Sequence, residues 1–331
     1  MVMSVKENFM ETLKHGKPER FVKGWEAFGL IMDPLNSWFK PVGPGQKGKD
    51  QFGVFYEWGE HEPGCMPIVN DETKLCPDIT EWRDYVKMPD VEGADIDWTE
   101  AKKEAQEIRD RGQLVMVGVF TGLFETSHFM MGFEDALCNI LMEPDDMEEF
   151  LDFILEFKRR FLKVLLDNLE PDIVMFHDDW GSHDKLFMSP DTWREFFKPR
   201  AKILYQDAKD RGCLIMHHAD SYCENIVEDM PEIGIDIWQG VLPQNDIPKM
   251  QKQIDGKMLL MGGLDSAIVD RADSSDEEIH EEVQRALREY GPGGNFIPAL
   301  TYGLDWCITP GLKEKINEEI GKGDQYFPTE K

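Results

Sequence analysis

Cys213-Leu214-Ile215-Met216-His217-His218-Ala219-Asp220 is a short apolar run that ends in two imidazoles and a carboxylate. Gly212 precedes it, and four consecutive apolar residues suit a strand covered on both faces, as in a parallel sheet. Parallel α/β folds place their ligands at the carboxyl ends of such strands. His217, His218 and Asp220 there offer metal ligands, a proton donor and a proton acceptor within reach of one another. The plainer alternative is a hydrogen-bonded core histidine followed by an ordinary loop.

The segment before the run has the pattern of a helix feeding a strand. Ser189-Pro190 opens it, Trp193, Phe196, Phe197 and Leu204 mark its apolar face, and Gly212 stops it. Pro199 predicts a kink within that helix. The pattern also occurs earlier: Asp97 and Glu100 make a capping-box-like start, Ala101, Ala105 and Ile108 form the stripe, and Gly112 precedes an apolar strand at 114–120. Between these two units, Met147, Phe150, Leu151, Ile154, Phe157, Phe161 and Leu165 predict one long helix, followed by a strand at 172–176. Downstream, strands are expected at 236–238, 258–261 and 295–297, with helices over 246–253 and 276–290 and a last helix from Thr309-Pro310.

The amino-terminal part is less regular. Residues 5–15 predict an amphipathic lid or cap helix, and 21–28 a first strand. Residues 33–66 are rich in Pro, Gly and aromatics without a period, and a weak strand is expected near 67–69. Trp38, Phe52, Phe55, Tyr56 and Trp58 there either wall a pocket or supply the segment's own small core. The count comes to about eight strands alternating with helices. The expected architecture is a single (β/α)8 TIM barrel over residues 1–331, with an N-terminal helix and a long irregular insertion after the first strand.

Bulk properties narrow the function. A hydrophobic share of 41% in 331 residues is enough for a large core, and no apolar run approaches a membrane span. The amino terminus lacks the pattern of a secretory signal, so a cytoplasmic location is expected. Six scattered cysteines without a CxxC pair predict thiols, not a disulfide framework. A formal net charge of −29 without a basic stripe argues against nucleic acid as a partner.

In a barrel the strand ends share one cavity, so their polar residues belong together: Glu26, Glu125, His177, Asp178, Asp179, His218, Asp220, Gln239, Asp265, Tyr302 and, on the last loop, Cys307. So many carboxylates and imidazoles at one level favour catalysis over packing. His218, Asp220 and Cys307 offer three zinc ligands with an open fourth position. Asp178, His218 and Tyr302 are the candidate catalytic groups. Glu26, Glu125, His177, Asp179, Gln239 and Asp265 are the candidate substrate contacts. For Glu26 a solvated charge is the equal alternative, for His177-Asp178-Asp179 a turn network, and for Tyr302 a cap on the barrel.

Four ordered segments carry a family resemblance: Phe176-His177-Asp178-Asp179-Trp180-Gly181, then residues 188–199 (MSPDTWREFFKP), then His218-Ala219-Asp220, then Met261-Gly262-Gly263-Leu264-Asp265. The chain resembles the uroporphyrinogen decarboxylase superfamily over roughly residues 5–321. The resemblance implies a (β/α)8 barrel and one of two activities, porphyrinogen decarboxylation or corrinoid-linked methyl transfer. Porphyrinogen decarboxylases carry an arginine-containing segment after the first strand, where this chain has Trp25-Glu26-Ala27-Phe28-Gly29. The zinc methyltransferases show His-x-Cys where this chain has His218-Ala219-Asp220, and their late Cys falls several residues before Cys307. The departure at Glu26 selects the corrinoid-dependent methyltransferase branch. That branch implies zinc as cofactor, a corrinoid supplied by a partner protein, and a small methyl donor or acceptor, first a methoxylated aromatic in the manner of an O-demethylase. A decarboxylase acting on another carboxylic acid is the alternative.

Overall fold

The computed structural model describes residues 2–60, 62, 64–302 and 307–327. Numbered in chain order, its strands are β1 (Phe28–Leu30), β2 (Lys47–Lys49), β3 (Phe55–Glu57), β4 (Met66–Pro67), β5 (Leu114–Val119), β6 (Ile173–His177), β7 (Leu214–His218), β8 (Ile237–Val241), β9 (Leu259–Gly263) and β10 (Phe296–Ala299). Seven form one parallel sheet in the order β1-β5-β6-β7-β8-β9-β10, and β2-β3-β4 form a separate antiparallel sheet. Each strand of the main sheet lies beside its predecessor, the winding of a barrel and not of an open sheet with a switch point.

Side-chain alternation shows that this sheet curls. Residues on alternate positions of all seven strands, Phe28, Leu114, Met116, Ile173, Met175, Met216, Ile237, Leu259, Met261, Ile297 and Ala299 among them, fall in one apolar cluster. A cluster shared by both edge strands fits a sheet that curls around it. The intervening positions, such as Val115, Val174, Ile215, Trp238 and Leu260, pack outward against the helices. Both faces of each strand are therefore dry, which is why these segments read as continuous apolar runs.

The helix Val5–Leu13 does not cover the mouth. Phe9 is fully buried in the inner cluster, with its ring edge-on to Phe28 at 4.9 Å, and the helix plugs the amino-terminal end of the barrel. Burying that ring is worth about 2–3 kcal/mol.

Three expectations about elements change. The first strand is 28–30 and not 21–28, because Lys23 O to Glu26 N and Trp25 O to Phe28 N bonds coil the stretch before it into turns. In place of the weak strand expected near 67–69 there is Met66–Pro67, which pairs with β3 in the small sheet, so the main sheet has seven strands among the described residues. The insertion between β1 and β5 holds that sheet and the helices Pro34–Phe39 and Trp82–Tyr85, and its Phe52 and Tyr56 are core residues against Phe157 and Phe129.

The helix break falls at Phe197, between helices Pro190–Phe196 and Lys198–Lys209, which places Pro199 in the first turn of the second, where its missing N–H costs nothing. The helix Thr99–Asp110 has no side-chain cap; Asp97 instead accepts from Thr99 N in a local turn. No helix among the described residues is long and apolar enough to cross a membrane.

Candidate active site

Register sets the level of the site. His177 of β6 pairs with His218 of β7, and His218 pairs with Gln239 of β8, so three polar side chains stand side by side at the carboxyl ends, on the inward face. His217, one residue earlier, must point outward. It stacks on Trp180 at 4.0 Å between ring centroids and meets the Tyr205 hydroxyl through Nδ1 at 2.9 Å, within the helix layer. Of the paired histidines only His218 belongs to the cavity.

The two cavity imidazoles lie parallel, 4.6 Å apart and 15° from coplanar, yet their surroundings drive them to opposite charge states. His218 is buried, and desolvation together with the neighbouring His177 pushes it down to about 4, so it is neutral. For His177 burial also acts downward, but the carboxylates of Glu125, Asp179 and Asp220 outweigh it and push the ring up to about 10. Glu125 Oε2 sits 2.8 Å from His177 Nδ1. Burial would raise the Glu125 carboxyl, and His177 overcomes this and lowers it. A pair whose environments separate two like groups in this way is a mark of acid–base or ligand chemistry.

Glu125 reaches His177 because of an unusual cap. The helix Leu123–Met131 begins at Gly122 without a side-chain cap of its own. Asp178, beyond the end of the next strand, accepts from Leu123 N, Phe124 N and Glu125 N at 3.0–3.2 Å, and from Trp180 Nε1 at 3.0 Å. Burial and the Glu125 charge push Asp178 up to about 7, against the pull of these N–H donors. A Cβ on Gly122 would stand 2.3 Å from Asp178 Cβ, so only glycine allows the approach. Thr121 completes the turn at φ +60, a strained conformation for a β-branched residue.

Among the described residues, one group of metal-ligand type converges: donor atoms of Glu125, His177 and Asp179 lie within 4.8 Å of one another. One imidazole and two carboxylates suit zinc, so these residues fit such a metal. Asp179 is raised to about 8 by burial and by Glu125, the response of an acid crowded by other acids. Asp220 adjoins the group, its amide donating to Asp179 Oδ1 at 3.1 Å and its Oδ2 accepting from the Tyr302 hydroxyl at 3.2 Å.

The sequence-derived candidates divide accordingly. Glu125, His177, Asp179, His218, Asp220 and Tyr302 are brought together, with Gln239 behind His218. The expected metal trio of His218, Asp220 and Cys307 is not the group that converges among the described residues, which is Glu125, His177 and Asp179: His218 Nδ1 faces Gln239 Oε1, Asp220 faces Tyr302, and Cys307 lies in electrostatic reach of Asp270 and Tyr302. Asp178, expected as a catalytic group, has its oxygens taken by four donors that hold the start of the helix Leu123–Met131. Asp265 caps the short helix Ser266–Val269 through Ala267 N, and its own amide donates to the buried Glu282. Glu26 is absent from the cavity. It precedes β1, at the amino-terminal end, and is held by Arg20 at 2.6 and 3.1 Å. Its side chain cannot repel a substrate at the mouth.

Lys158 is a site neighbour that sequence reasoning missed. It is 2% exposed on the long helix Pro144–Leu169, with Nζ 3.3 Å from Thr121 Oγ1 and 3.5 Å from Phe120 O. Burial pushes it down to about 8. A signal was present: Lys158 lies four residues after Ile154 and three before Phe161, on the apolar stripe.

A curled, singly wound parallel sheet with an acid–imidazole ring at its strand ends defines an α/β enzyme of the barrel type. The chain belongs to the uroporphyrinogen decarboxylase (URO-D) family, whose model matches residues 69–312. It is 25% identical over 178 residues to a uroporphyrinogen decarboxylase of Shewanella piezotolerans and 26% identical over 171 residues to one of Thermus thermophilus. Those stretches take in 51% and 52% of this chain and 46% and 44% of the relatives, so the match spans about half of this chain and rather less than half of each relative. Among solved structures, a methyltransferase from Methanosarcina mazei superposes with a TM-score of 0.69 over 98% of this chain and 99% of that one, at 15% identity. At that identity the likeness is one of fold.

Proposed function

We propose that the chain is a methyltransferase that moves a methyl group between a small methyl compound, first a methoxylated aromatic, and a corrinoid carried on a separate protein. The observation that carries this reading is the charge of the ring at the strand ends. Glu125, Asp179 and Asp220 stand around two imidazoles, and among the described ion pairs only His177 is a partner to any of the three. His177 is the cation among these residues and Glu125 already engages it, so a substrate bearing many carboxylates would find no free positive partner in the ring, whereas a methyl ether or a thiol needs none. The fold likeness to the M. mazei methyltransferase supports the reading at the level of architecture.

Transfer from an ether breaks the O–CH3 bond and leaves negative charge on oxygen. Protonated His177 is the ring's positive centre for that charge, and Glu125, His177 and Asp179 are the residues that would hold a zinc ion. Zinc, when bound, supplies Lewis acidity toward the substrate oxygen or sulfur. Glu125 orients the His177 ring, Tyr302 donates to Asp220 and keeps that carboxylate in place, and neutral His218 presents a proton acceptor.

The alternative, loss of CO2 from a carboxylic acid, is supported by the names of the two bacterial relatives and by His177, which suits one carboxylate. Mixing the protein with a corrinoid protein reduced to Co(I) and a panel of methoxylated aromatics should produce methylated corrinoid, visible in its absorption spectrum. Glu125→Ala should slow this about 100-fold and abolish binding of about one zinc per chain, measured by elemental analysis. If no donor methylates the corrinoid, and methylated corrinoid gives up nothing to thiols, the reading fails and CO2 release becomes the first assay.

A further inference from the structure

Gln239, a candidate substrate contact from its place at a strand end, is 1% exposed and its amide is fully engaged within the protein. Its Nε2 lies 2.8 Å from Thr301 O and 3.5 Å from Leu300 O. Backbone carbonyls only accept hydrogen bonds, so the end of the amide facing them must be the NH2. The other end, Oε1, therefore faces His218 Nδ1. An amide oxygen also only accepts, so Nδ1 must carry the hydrogen. In the neutral ring the lone pair is then on Nε2, at the far side from Gln239.

We propose that Gln239 is a positioning residue that fixes His218 as its Nδ1–H tautomer, so that Nε2 offers a lone pair among the strand ends as proton acceptor or ligand. The chain of constraint starts at the Thr301 and Leu300 carbonyls, just past β10, and passes through an amide on β8 to an imidazole on β7. The adjacent His177 ring, stacked on His218, holds the plane in which that lone pair lies. His217 shows the contrast: its Nδ1 partner is the Tyr205 hydroxyl, which can donate or accept, so that contact does not dictate its tautomer. The use made of the lone pair rests on the methyl-transfer reading, whereas the tautomer does not.

Long-range proton–nitrogen spectra of histidine-labelled protein near pH 7.5 test this directly, with His218→Ala to assign the signals. Wild type should show His218 Nε2 at the unprotonated, pyridine-type frequency and Nδ1 as protonated. Gln239→Leu should move both toward an average of the two tautomers. Gln239→Glu, which still accepts from Nδ1 but sets a carboxylate against the ring as Glu125 does for His177, should keep Nδ1 protonated and protonate Nε2 as well. In the corrinoid methylation assay Gln239→Leu should lower kcat about 10-fold or more with little change in KM, and Gln239→Glu should not recover it. A wild-type His218 with protonated Nε2, or one unchanged in Gln239→Leu, overturns the proposal. If Gln239→Leu does not fold, the wild-type spectrum decides alone. The expected tautomer without methyl transfer would refute the functional reading and leave the positioning role standing.

Discussion

Replacing Glu125 with Gln in metal-free protein removes the charge facing His177 while keeping the side chain's volume. The rise of His177 from 6.5 to about 10 is the sum of the nearby carboxylates working against burial. At about 1.4 kcal/mol per pH unit it amounts to roughly 5 kcal/mol, a ceiling because the ring is partly open to water and three acids share the effect. Coulomb's law gives about 4 kcal/mol for one pair at ~4 Å with an effective dielectric near 20, so Glu125 accounts for most of it.

Glu125→Gln should therefore lower His177 by about 2–3 pH units, to about 7–8 with Asp179 and Asp220 still present. The sign for stability comes from linkage. His177 is raised above its unfolded value, so its contribution is full below about 6.5 and is lost as pH rises through about 10. Glu125 is lowered, so its contribution is present above 4.5 and is lost as pH falls through its depressed value. The cost of the variant should accordingly be largest near pH 5–6, on the order of 2–3 kcal/mol after screening, and fade toward pH 10. Urea unfolding across that range, beside a proton NMR titration of His177, measures both. A wild-type His177 that titrates near 6.5, or a stability difference that does not change with pH, would refute the reasoning.

Asp178→Ala leaves three helix amides and an indole N–H without their acceptor and should cost about 2–4 kcal/mol; thermal melts should show a drop of several degrees, with Asp178→Asn in between, and an unchanged Tm would contradict the cap. Glu26→Ala loses its pairing with Arg20 and the acceptor of Lys23 N–H, both at the far end of the barrel, and should cost about 1–2 kcal/mol; kcat/KM should stay at the wild-type value, and a 10-fold fall would put Glu26 back at the mouth.

The central β-strands were legible because both of their faces are buried: runs such as 114–120 and 258–261 have no other reading that leaves the backbone and the apolar side chains satisfied. The first strand was misplaced because Phe21 and Val22 are buried for another reason, Val22 in the inner cluster and Phe21 beneath Phe327. Burial is what apolar content reports, and it does not distinguish a strand from a plug. At the site, residues that end a strand, His177 and His218, could be placed by counting alternation. Their partners could not. Whether Asp178 or Asp179 faces the cavity depends on where the loop turns after β6, and that is settled by the amides of a helix some fifty residues earlier in the chain. The metal group was missed for the same reason, since Glu125 joins it only through that cap.

The cap on the helix Leu123–Met131 belongs to the neighbouring βα unit, and this affects how the chain can be rebuilt. Active-site loops on barrels are often treated as exchangeable parts, each carried by its own strand. Here one loop borrows its acceptor from the next, so a loop transplanted alone would arrive with three amides exposed and its glutamate unaimed. The two units form a single inheritable block from β5 through Trp180, and recombination between related chains should succeed at its borders and fail inside it.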